Sequence, residues 1–341
     1  RKITLRDTPC ADLTTFGPAL FIESSCFMVS EPILKTQLDN GIRVISQRMP
    51  GFRSVALGMY IKTGSGNETA DNNGISHFLE HMLFKGTCNR SAMDIAVSLE
   101  SLGGKLNAST GKEISLYSTL VLHEHLPVAV DVLSDMVLHS VFDEGEIERE
   151  KGVILSEIRH AHEDPEELAL DYLYQHLYPE HPLGYFILGQ EDTVRSFSRE
   201  DLQSYLQSQY TPDRIVFAAA GHIDHNRLVD LVRHHTLELQ SGPPTRDEPA
   251  LTPPLSYQTI EHPFLVQSHL AIGTRTFGSN DPRKYALAFM DVMLGGGMSS
   301  RLFQNIREKY GFAYSVYCFA DFMQNTGVFC TYVACAPDKA D

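Results

Sequence analysis

The sequence predicts an α+β protein built from two homologous domains, each a mostly antiparallel sheet packed with helices. Three observations support this prediction. The chain has 341 residues, which is a usual length for two domains. Apolar residues alternate in several short stretches, as in strands, and recur with helical spacing in others. The order of these stretches is partly repeated in the second half of the chain, as expected of a duplicated unit.

The first half of the chain contains elements with clear ends. The pair Asn40-Gly41 between two apolar stretches indicates a β-hairpin near the start. A polar, glycine-rich loop over 64–74 precedes a segment with helical spacing. We expect strands over 54–63 and 215–221, helices over 75–84, 92–102, 126–140 and 143–162, and a strand–turn–strand pair over 105–121.

A stretch rich in proline and glycine then interrupts the pattern and indicates a linker. Beyond it the order returns as a strand, a loop, an apolar helix over 284–294, a glycine-rich stop, another helix and two strands. The second copy ends after its second strand, so we expect the second domain to be incomplete at its C-terminal end. The predicted divisions are an N-terminal extension 1–32, a first domain 33–238, a linker 239–255 and a second domain 256–341.

Composition argues against several classes of function. A formal net charge of -15 disfavours a nucleic-acid-binding protein, which needs a basic surface. The same acidity suits neutral or basic ligands such as positively charged peptides, although it equally well serves solubility alone. No run of 18 apolar residues occurs, so no membrane span is expected. The six cysteines form no CxxC pair, which disfavours a cysteine zinc site.

The most informative chemical pattern is the pentad His77-Phe-Leu-Glu80-His81. On a helix, His77 and His81 lie one turn apart on one face, where both imidazoles can bind one cation. Glu80 reaches the same end of that site. This is the inverzincin order of a zinc-peptidase motif, in which a carboxylate takes a proton from a water that the metal acidifies. The alternative is a pair of surface histidines, but the apolar flanks of the pentad indicate a position inside the protein.

A catalytic zinc site needs a third protein ligand, and the helix expected over 143–162 offers several glutamates. Glu150 and Glu157 are seven residues apart, so they lie on one face of that helix. Val153 and Ile154 between them make this part of the helix half-buried, and a carboxylate there needs a partner. We therefore expect Glu157 to bind the metal and Glu150 to orient a ligand or a water molecule.

The stretch Asn73 to Thr87, which contains the pentad, resembles the pitrilysin family and most closely its processing-peptidase branch. The resemblance continues through Gly103 to Ala108, through the helix from Glu150 to Glu157, and through Gly295 to Phe303 in the second half. It covers about residues 33–340. The residues of these motifs are similar to those of bacterial homologues of the beta subunit of the mitochondrial processing peptidase.

This resemblance implies a zinc metalloendopeptidase with one Zn²⁺ per chain. The implied metal ligands are His77, His81 and Glu157. Glu80 is the implied general base, and Glu150 is implied to lie behind the ligands and orient one of them.

The resemblance also implies residues that bind the substrate. Asn107 and Ala108 match the family's edge strand, to which an extended peptide adds as a further strand. Arg307 and Tyr314 match a family pair that reaches the substrate from the second half. An arginine and a phenol can both donate hydrogen bonds to a developing oxyanion.

Partners and location follow from the same resemblance. It implies a peptide substrate and a dimer, formed either by one chain or by an active and an inactive chain. The similarity of the motif sequences to bacterial members favours the cytoplasm, with the mitochondrial matrix as the alternative. Two other functions stay open, a non-catalytic peptide-binding or scaffold subunit and a structural metal protein. The intact pentad argues against the first, and the lack of a cysteine placed as a fourth ligand argues against the second.

Overall fold

Two β-sheets organise the part of the chain that the computed structural model describes, residues 31–239, 258–261 and 265–340. The first sheet comprises β1 (Leu34–Gln37), β2 (Arg43–Arg48), β3 (Ser54–Ile61), β4 (Lys105–Thr110), β5 (Ser115–Leu122) and β6 (Ile215–Gly221). The second comprises β7 (Ser268–Phe277), β8 (Ala313–Phe322) and β9 (Thr326–Cys335). The N-terminal extension as far as residue 30 and the linker from residue 240 onward lie outside the described residues.

The first sheet is mostly antiparallel, as predicted, and one of its faces is covered. Its strand order is β1-β2-β6-β3-β5-β4, and only the β2–β6 pair is parallel. Along β3 the residues Val55 and Leu57 are buried while Ala56 and Tyr60 are exposed. This alternation is typical of a sheet that packs on helices with one face only. The predicted hairpin joins β1 to β2, and Gly41 in its turn has a φ of +104°.

The first domain contains eight α-helices among the described residues, and four of them pack on the buried face of its sheet. The eight are α1 (Ile75–Leu83), α2 (Ala92–Glu100), α3 (Leu126–His139), α4 (Glu144–Glu163), α5 (Pro165–Leu177), α6 (Glu191–Ser196), α7 (Arg199–Gln209) and α8 (His225–His235). α1 and α2 pack on β4, α3 on β5 and α8 on β2. Phe78, Tyr117 and Phe217 are fully buried in the core between these layers. No helix among the described residues combines the length and the apolar character needed to cross a membrane.

The second sheet repeats part of the first, which supports the predicted duplication. Its order β7-β9-β8 matches the order β3-β5-β4, and in each case a helix follows the first strand. That helix is α9 (Lys284–Gly295), which packs on β8. The further helix that the sequence predicted after the glycine-rich stop is a π-helical segment, Phe303–Lys309.

The second sheet packs against α5 of the first domain. Side chains of α5 and of the turn after it form an apolar cluster with Met323, Val328 and Cys330. At its border, the Tyr174 hydroxyl donates a hydrogen bond of 2.6 Å to Asp321. The turn between β4 and β5 joins the contact, because Glu113 accepts a 2.7 Å hydrogen bond from the backbone N–H of Gln324. The hairpin formed by β4 and β5 therefore also contacts the second domain.

Candidate metal centre

α1 presents the polar residues of the pentad because its other faces are packed into the core. Phe78 and Leu79 are buried, which fixes the rotation of the helix about its own axis. His77, Glu80 and His81 lie on the partly exposed side. The ring centroids of the two histidines are 4.6 Å apart. The one-turn spacing thus brings both imidazoles to one place, as predicted.

The N-terminus of α1 is fixed by a glycine and a buried carboxylate. Gly74 has a φ of +96°, and a Cβ atom there would lie 2.8 Å from the Cα of Gly189. Glu68 accepts hydrogen bonds of 2.8 and 2.9 Å from the backbone N–H groups of Gly74 and Ser76. These are free donors of the first helical turn, which an acceptor there stabilises. Burial raises the pKa of Glu68 even though these hydrogen bonds act to lower it.

α4 brings Glu157 to the histidine pair. Its Oε2 atom lies 3.8 Å from Nε2 of His77 and 3.6 Å from Nε2 of His81. One ligand atom from each of the three side chains lies within 4.8 Å of the others. The two separations are longer than hydrogen bonds. In a tetrahedral site, two ligand atoms that each lie about 2.0 Å from the metal are roughly 3.3 Å apart, and the two separations approach this value. Two imidazoles and a carboxylate therefore fit a catalytic zinc ion with one open position.

The surroundings of the two histidines determine which ring nitrogen can bind a cation. Burial, and secondarily the neighbouring His81, lower the pKa of His77 to about 4, so this ring is neutral at pH 7. The Nδ1 atom of His81 lies 3.0 Å from Oε2 of Glu150. Because an ionised carboxylate can only accept, Nδ1 of His81 carries a proton, and in the neutral imidazole the lone pair is then on Nε2.

Glu150 lies beside His81, one of the three candidate ligands. It is 5% exposed, and its Oε1 atom forms a 2.6 Å ion pair with Nζ of Lys85. Burial alone would raise the pKa of Glu150. The hydrogen bonds from Lys85 and His81 outweigh this effect and hold the pKa below its usual value. Glu150 is therefore an ionised acceptor at neutral pH.

Glu80 has the surroundings of a general base. Burial raises the pKa of its carboxyl group, the nearby Glu157 raises it further, and the hydrogen bond from Thr110 and the proximity of His81 oppose this rise. The Thr110 hydroxyl, on β4, donates that hydrogen bond to Oε2 of Glu80. A raised pKa makes a carboxylate a better proton acceptor near neutral pH.

β4 is an edge strand of the first sheet, as the resemblance implied for Asn107 and Ala108. The backbone of β4 pairs with β5 on one side, with Asn107 opposite Ser118 and Ala108 opposite Tyr117. On its other side no strand of the described chain pairs with it. Because Thr110 ends the same strand and contacts Glu80, this open edge runs toward the candidate metal site.

Arg307 and Tyr314 lie next to each other in the second domain. The guanidinium of Arg307 lies 4.3 Å from the ring centroid of Tyr314 and donates a 2.8 Å hydrogen bond to its backbone carbonyl. Tyr314 is 73% exposed. No hydrogen bond, ion pair or ring contact within the described residues joins either side chain to the three candidate ligands. Their contact with substrate stays a prediction.

Three residues of this site were missed by the sequence analysis. Thr110 has the same strand parity as Ala108, so the alternation along β4 could have placed it on the helix side. Lys85 stands two residues beyond the helix, but nothing local connects it with Glu150. Glu68 lies in a polar loop, and its burial depends on contacts with a helix that starts several residues later.

Two protein families match the chain. Insulinase (Peptidase family M16) matches residues 43–191, and Peptidase M16 inactive domain matches residues 196–341. The second match begins before β6, which lies inside the first sheet. The predicted domain limits therefore stay a prediction.

Individual proteins agree with these matches. A Bacillus subtilis protein named uncharacterized zinc protease YmxG is 41% identical, over 86% of this chain and 71% of its own length. An uncharacterized zinc protease from Mycobacterium leprae is 39% identical, over 91% of this chain and 71% of its own length. The crystal structure of a protease from Helicobacter pylori has the same fold, with a TM-score of 0.84 at 21% identity, over 90% of this chain and 76% of its own. These relatives and the family matches confirm the resemblance that the motifs predicted, and the chain belongs to the insulinase family, peptidase family M16.

Proposed function

We propose that this protein is a zinc-dependent endopeptidase that hydrolyses peptide bonds in short or unfolded peptides. One observation carries the proposal. Ligand atoms of His77, His81 and Glu157 lie within 4.8 Å of one another. Glu80 lies on the same helix as the two histidines. The names of the relatives, which are called zinc proteases, support the same activity.

The roles of the side chains follow from their positions. When bound, zinc supplies a Lewis acid that polarises the peptide carbonyl and acidifies a water molecule. Glu80 accepts the proton of that water and passes it to the leaving amine. Because Thr110 already donates to Oε2 of Glu80, we assign the uptake and return of the proton to Oε1. Glu150 keeps the proton of His81 on Nδ1 and so directs Nε2 to the metal.

The open edge of β4 is the proposed binding site of the substrate backbone. An extended peptide would pair there with the main chain at Asn107 and Ala108, as a seventh strand of the six-stranded sheet. Backbone pairing is independent of side-chain identity, so it suits cleavage of varied, unfolded segments. Folded proteins present few such segments.

Arg307 and Tyr314 are proposed to bind the substrate from the second domain. Both can donate to an oxyanion that develops at the attacked carbonyl. The ring of Tyr314, which is 73% exposed, and the guanidinium of Arg307 at 4.3 Å from its centroid support this role. For this role, substrate binding must bring Arg307 and Tyr314 near the metal position.

Further features of the function are proposals of the same kind. We propose one zinc ion per chain, and a homodimer or a heterodimer with a related chain as the working form. The net charge of -15 favours basic peptides over acidic ones, including presequence-like segments. The bacterial relatives favour the cytoplasm, with the mitochondrial matrix as the alternative.

The first experiment compares the wild type with Glu80→Gln. Zinc content is measured by plasma mass spectrometry, and cleavage is measured with a quenched basic peptide. We expect both proteins to hold one zinc, and the variant to cut at least about a hundredfold more slowly, because a general base contributes about 10² to 10⁴ to the rate. Glu144→Gln, an exposed carboxylate on α4, is the matched control and should cut at the wild-type rate.

The alternative is a subunit that binds peptides without cutting them. A wild type that holds zinc but cleaves none of a varied set of peptides would support this alternative and contradict the peptidase proposal. A wild type that binds no zinc would contradict both the metal site and the mechanism.

A further inference from the structure

A chain of three side chains leads from the metal site to the protein surface. Nε2 of His81 faces the metal position, and its Nδ1 lies 3.0 Å from Oε2 of Glu150. The other oxygen of Glu150, Oε1, lies 2.6 Å from Nζ of Lys85. Lys85 stands two residues beyond the end of α1, the helix that also carries His81. Its ammonium therefore connects the end of the metal-binding helix with α4.

We propose that Lys85 is a positioning residue of the metal centre, which sets the orientation of Glu150 and, through it, the imidazole of His81. This inference rests on the proposed zinc site. It goes beyond the ligand set, because Lys85 touches neither a ligand of the metal nor the substrate position.

The geometry explains why one partner of Glu150 is not enough. Each carboxylate oxygen has its own donor, Lys85 for Oε1 and His81 for Oε2. Two donors, one for each oxygen, prevent rotation of the carboxylate about its last side-chain bond. With Lys85 removed, only the movable imidazole of His81 would hold it, and Oε1 would be a buried acceptor without a charged donor. The ring of His81 would then have no fixed support.

Burial makes the ion pair more effective than a surface pair. The Glu150 side chain is 7% exposed, and that of Lys85 is 30% exposed. The carboxylate is thus screened little by solvent, while the ammonium keeps part of its hydration. Exposed pairs contribute little to structure, but a charged donor to a buried carboxylate determines its position.

The test measures zinc affinity and needs no enzymatic activity. The apo-protein is titrated with zinc in competition with a chromophoric chelator. Lys85→Met keeps the aliphatic stem and removes the ammonium, and Lys85→Arg restores a cationic donor. We expect Lys85→Met to raise the Kd for zinc about 10- to 100-fold, the usual effect of losing support behind a metal ligand. Lys85→Arg should recover most of this loss.

Lys151→Met is the matched control. Lys151 lies on α4 and forms a 2.8 Å ion pair with Glu148, at a side-chain exposure of 14%. It tests the loss of a similar lysine–glutamate pair that does not include Glu150. Its zinc affinity should stay within about twofold of the wild type.

A double-mutant cycle tests whether Lys85 acts through Glu150. In a Glu150→Ala background, Lys85→Met should change the Kd for zinc by less than about twofold. Equal zinc affinity of the wild type, Lys85→Met and Lys85→Arg would overturn the inference and leave the proposed function intact. A full effect of Lys85→Met in the Glu150→Ala background would also overturn it. A wild type without stoichiometric zinc would overturn both. If Lys85→Met does not fold, Lys85→Gln replaces it in the cycle.

Discussion

The two domains share a framework but differ in what their first helix carries. β3, β5 and β4 around α1 have the same order as β7, β9 and β8 beside α9. α1 directs two histidines and a glutamate toward β4 and α4. α9 directs Tyr285, Phe289 and Val292 outward, with exposures of 73%, 72% and 63%. The comparison teaches that the framework alone specifies no metal site, since a few side chains on it decide the chemistry.

Two aspartates, one in each domain, also differ in their hydrogen-bond donors. Asp135 in α3 is 4% exposed and accepts hydrogen bonds from several donors, among them Thr87, Asn89 and Arg90. Asp291 in α9 has a buried Oδ1 atom without a hydrogen-bond partner among the described residues. A buried charge with donors stabilises a fold, while one without donors costs stability. Asp135 is thus supported by donors, while within the described part of the chain the buried oxygen of Asp291 is not.

The largest expected effect is the loss of zinc binding when a candidate ligand on α1 is replaced, while a substitution on α9 has no such effect. His77→Ala should reduce the zinc content from one per chain to near zero. Cleavage should fall about a thousandfold or more, because the Lewis acid supplies several kcal/mol to the reaction. Asp291→Asn, on the corresponding helix of the second domain, should leave zinc and cleavage unchanged. Zinc retained by His77→Ala would contradict the proposed ligand set. Circular dichroism checks that both variants are folded.

The next effect concerns the stability of the first domain. Asp135→Asn replaces an acceptor of several hydrogen bonds and leaves Arg90 with fewer partners. We expect a loss of about 2–3 kcal/mol in the free energy of unfolding, because hydrogen bonds to charged groups contribute about 1.5–3 kcal/mol. Urea unfolding followed by circular dichroism measures it. Asp131→Asn is the control, because Asp131 pairs with the same arginine but its side chain is 36% exposed. Its effect should stay below about 1 kcal/mol.

The pH dependence of this stability has a defined sign. Burial would raise the pKa of Asp135, but the hydrogen bonds from Asn89, Thr87, Arg90 and His139 outweigh it and lower the pKa. The unfolded value is about 3.9. The contribution of Asp135 is therefore fully present above about pH 4 and is lost as the pH falls through the folded-state pKa. The stability difference between the wild type and Asp135→Asn should shrink in that range. An unchanged difference would contradict the lowered pKa of Asp135.

A smaller effect tests the contact between β4 and α1. Thr110→Val keeps the shape of the side chain and removes the hydroxyl that donates to Glu80. We expect kcat to fall about tenfold at unchanged zinc content, which corresponds to about 1.4 kcal/mol. Ser109→Ala, on the exposed face of the same strand, should keep the wild-type kcat. Equal rates for both variants would show that Thr110 does not position the base.

Local patterns predicted the framework well. The strand and helix segments depend on the alternation and helical spacing of apolar residues, and the hairpin on Asn40-Gly41. The π-helical segment at 303–309 was not predicted, because a shift of backbone hydrogen bonds by one residue leaves the apolar pattern of a helix unchanged.

The site was predictable as far as it is local. His77, Glu80 and His81 share one helix, so their spacing sufficed. Glu157 was expected from a helix predicted to be half-buried and from the family resemblance. In the structure its side chain is 41% exposed and Val153 is 43% exposed, so the resemblance was the better guide. Contacts between distant segments, such as those that join Lys85 to Glu150, depend on how the helices pack, and no spacing in the sequence encodes that.

The smallest expected effect has the opposite sign to that of Asp135. Burial raises the pKa of Asp291, so the folded protein favours its neutral form. Its charge then costs stability above the unfolded pKa, and this cost grows until the pH passes the folded-state pKa. Asp291→Asn should therefore stabilise the protein at pH 7, by less than about 1 kcal/mol, because only one oxygen lacks a donor and solvent screens this partly exposed group. The gain should shrink as the pH falls toward 4. Urea unfolding at both pH values measures it, and a destabilised Asp291→Asn at pH 7 would show that this acid has a donor and that the two domains do not differ in this respect.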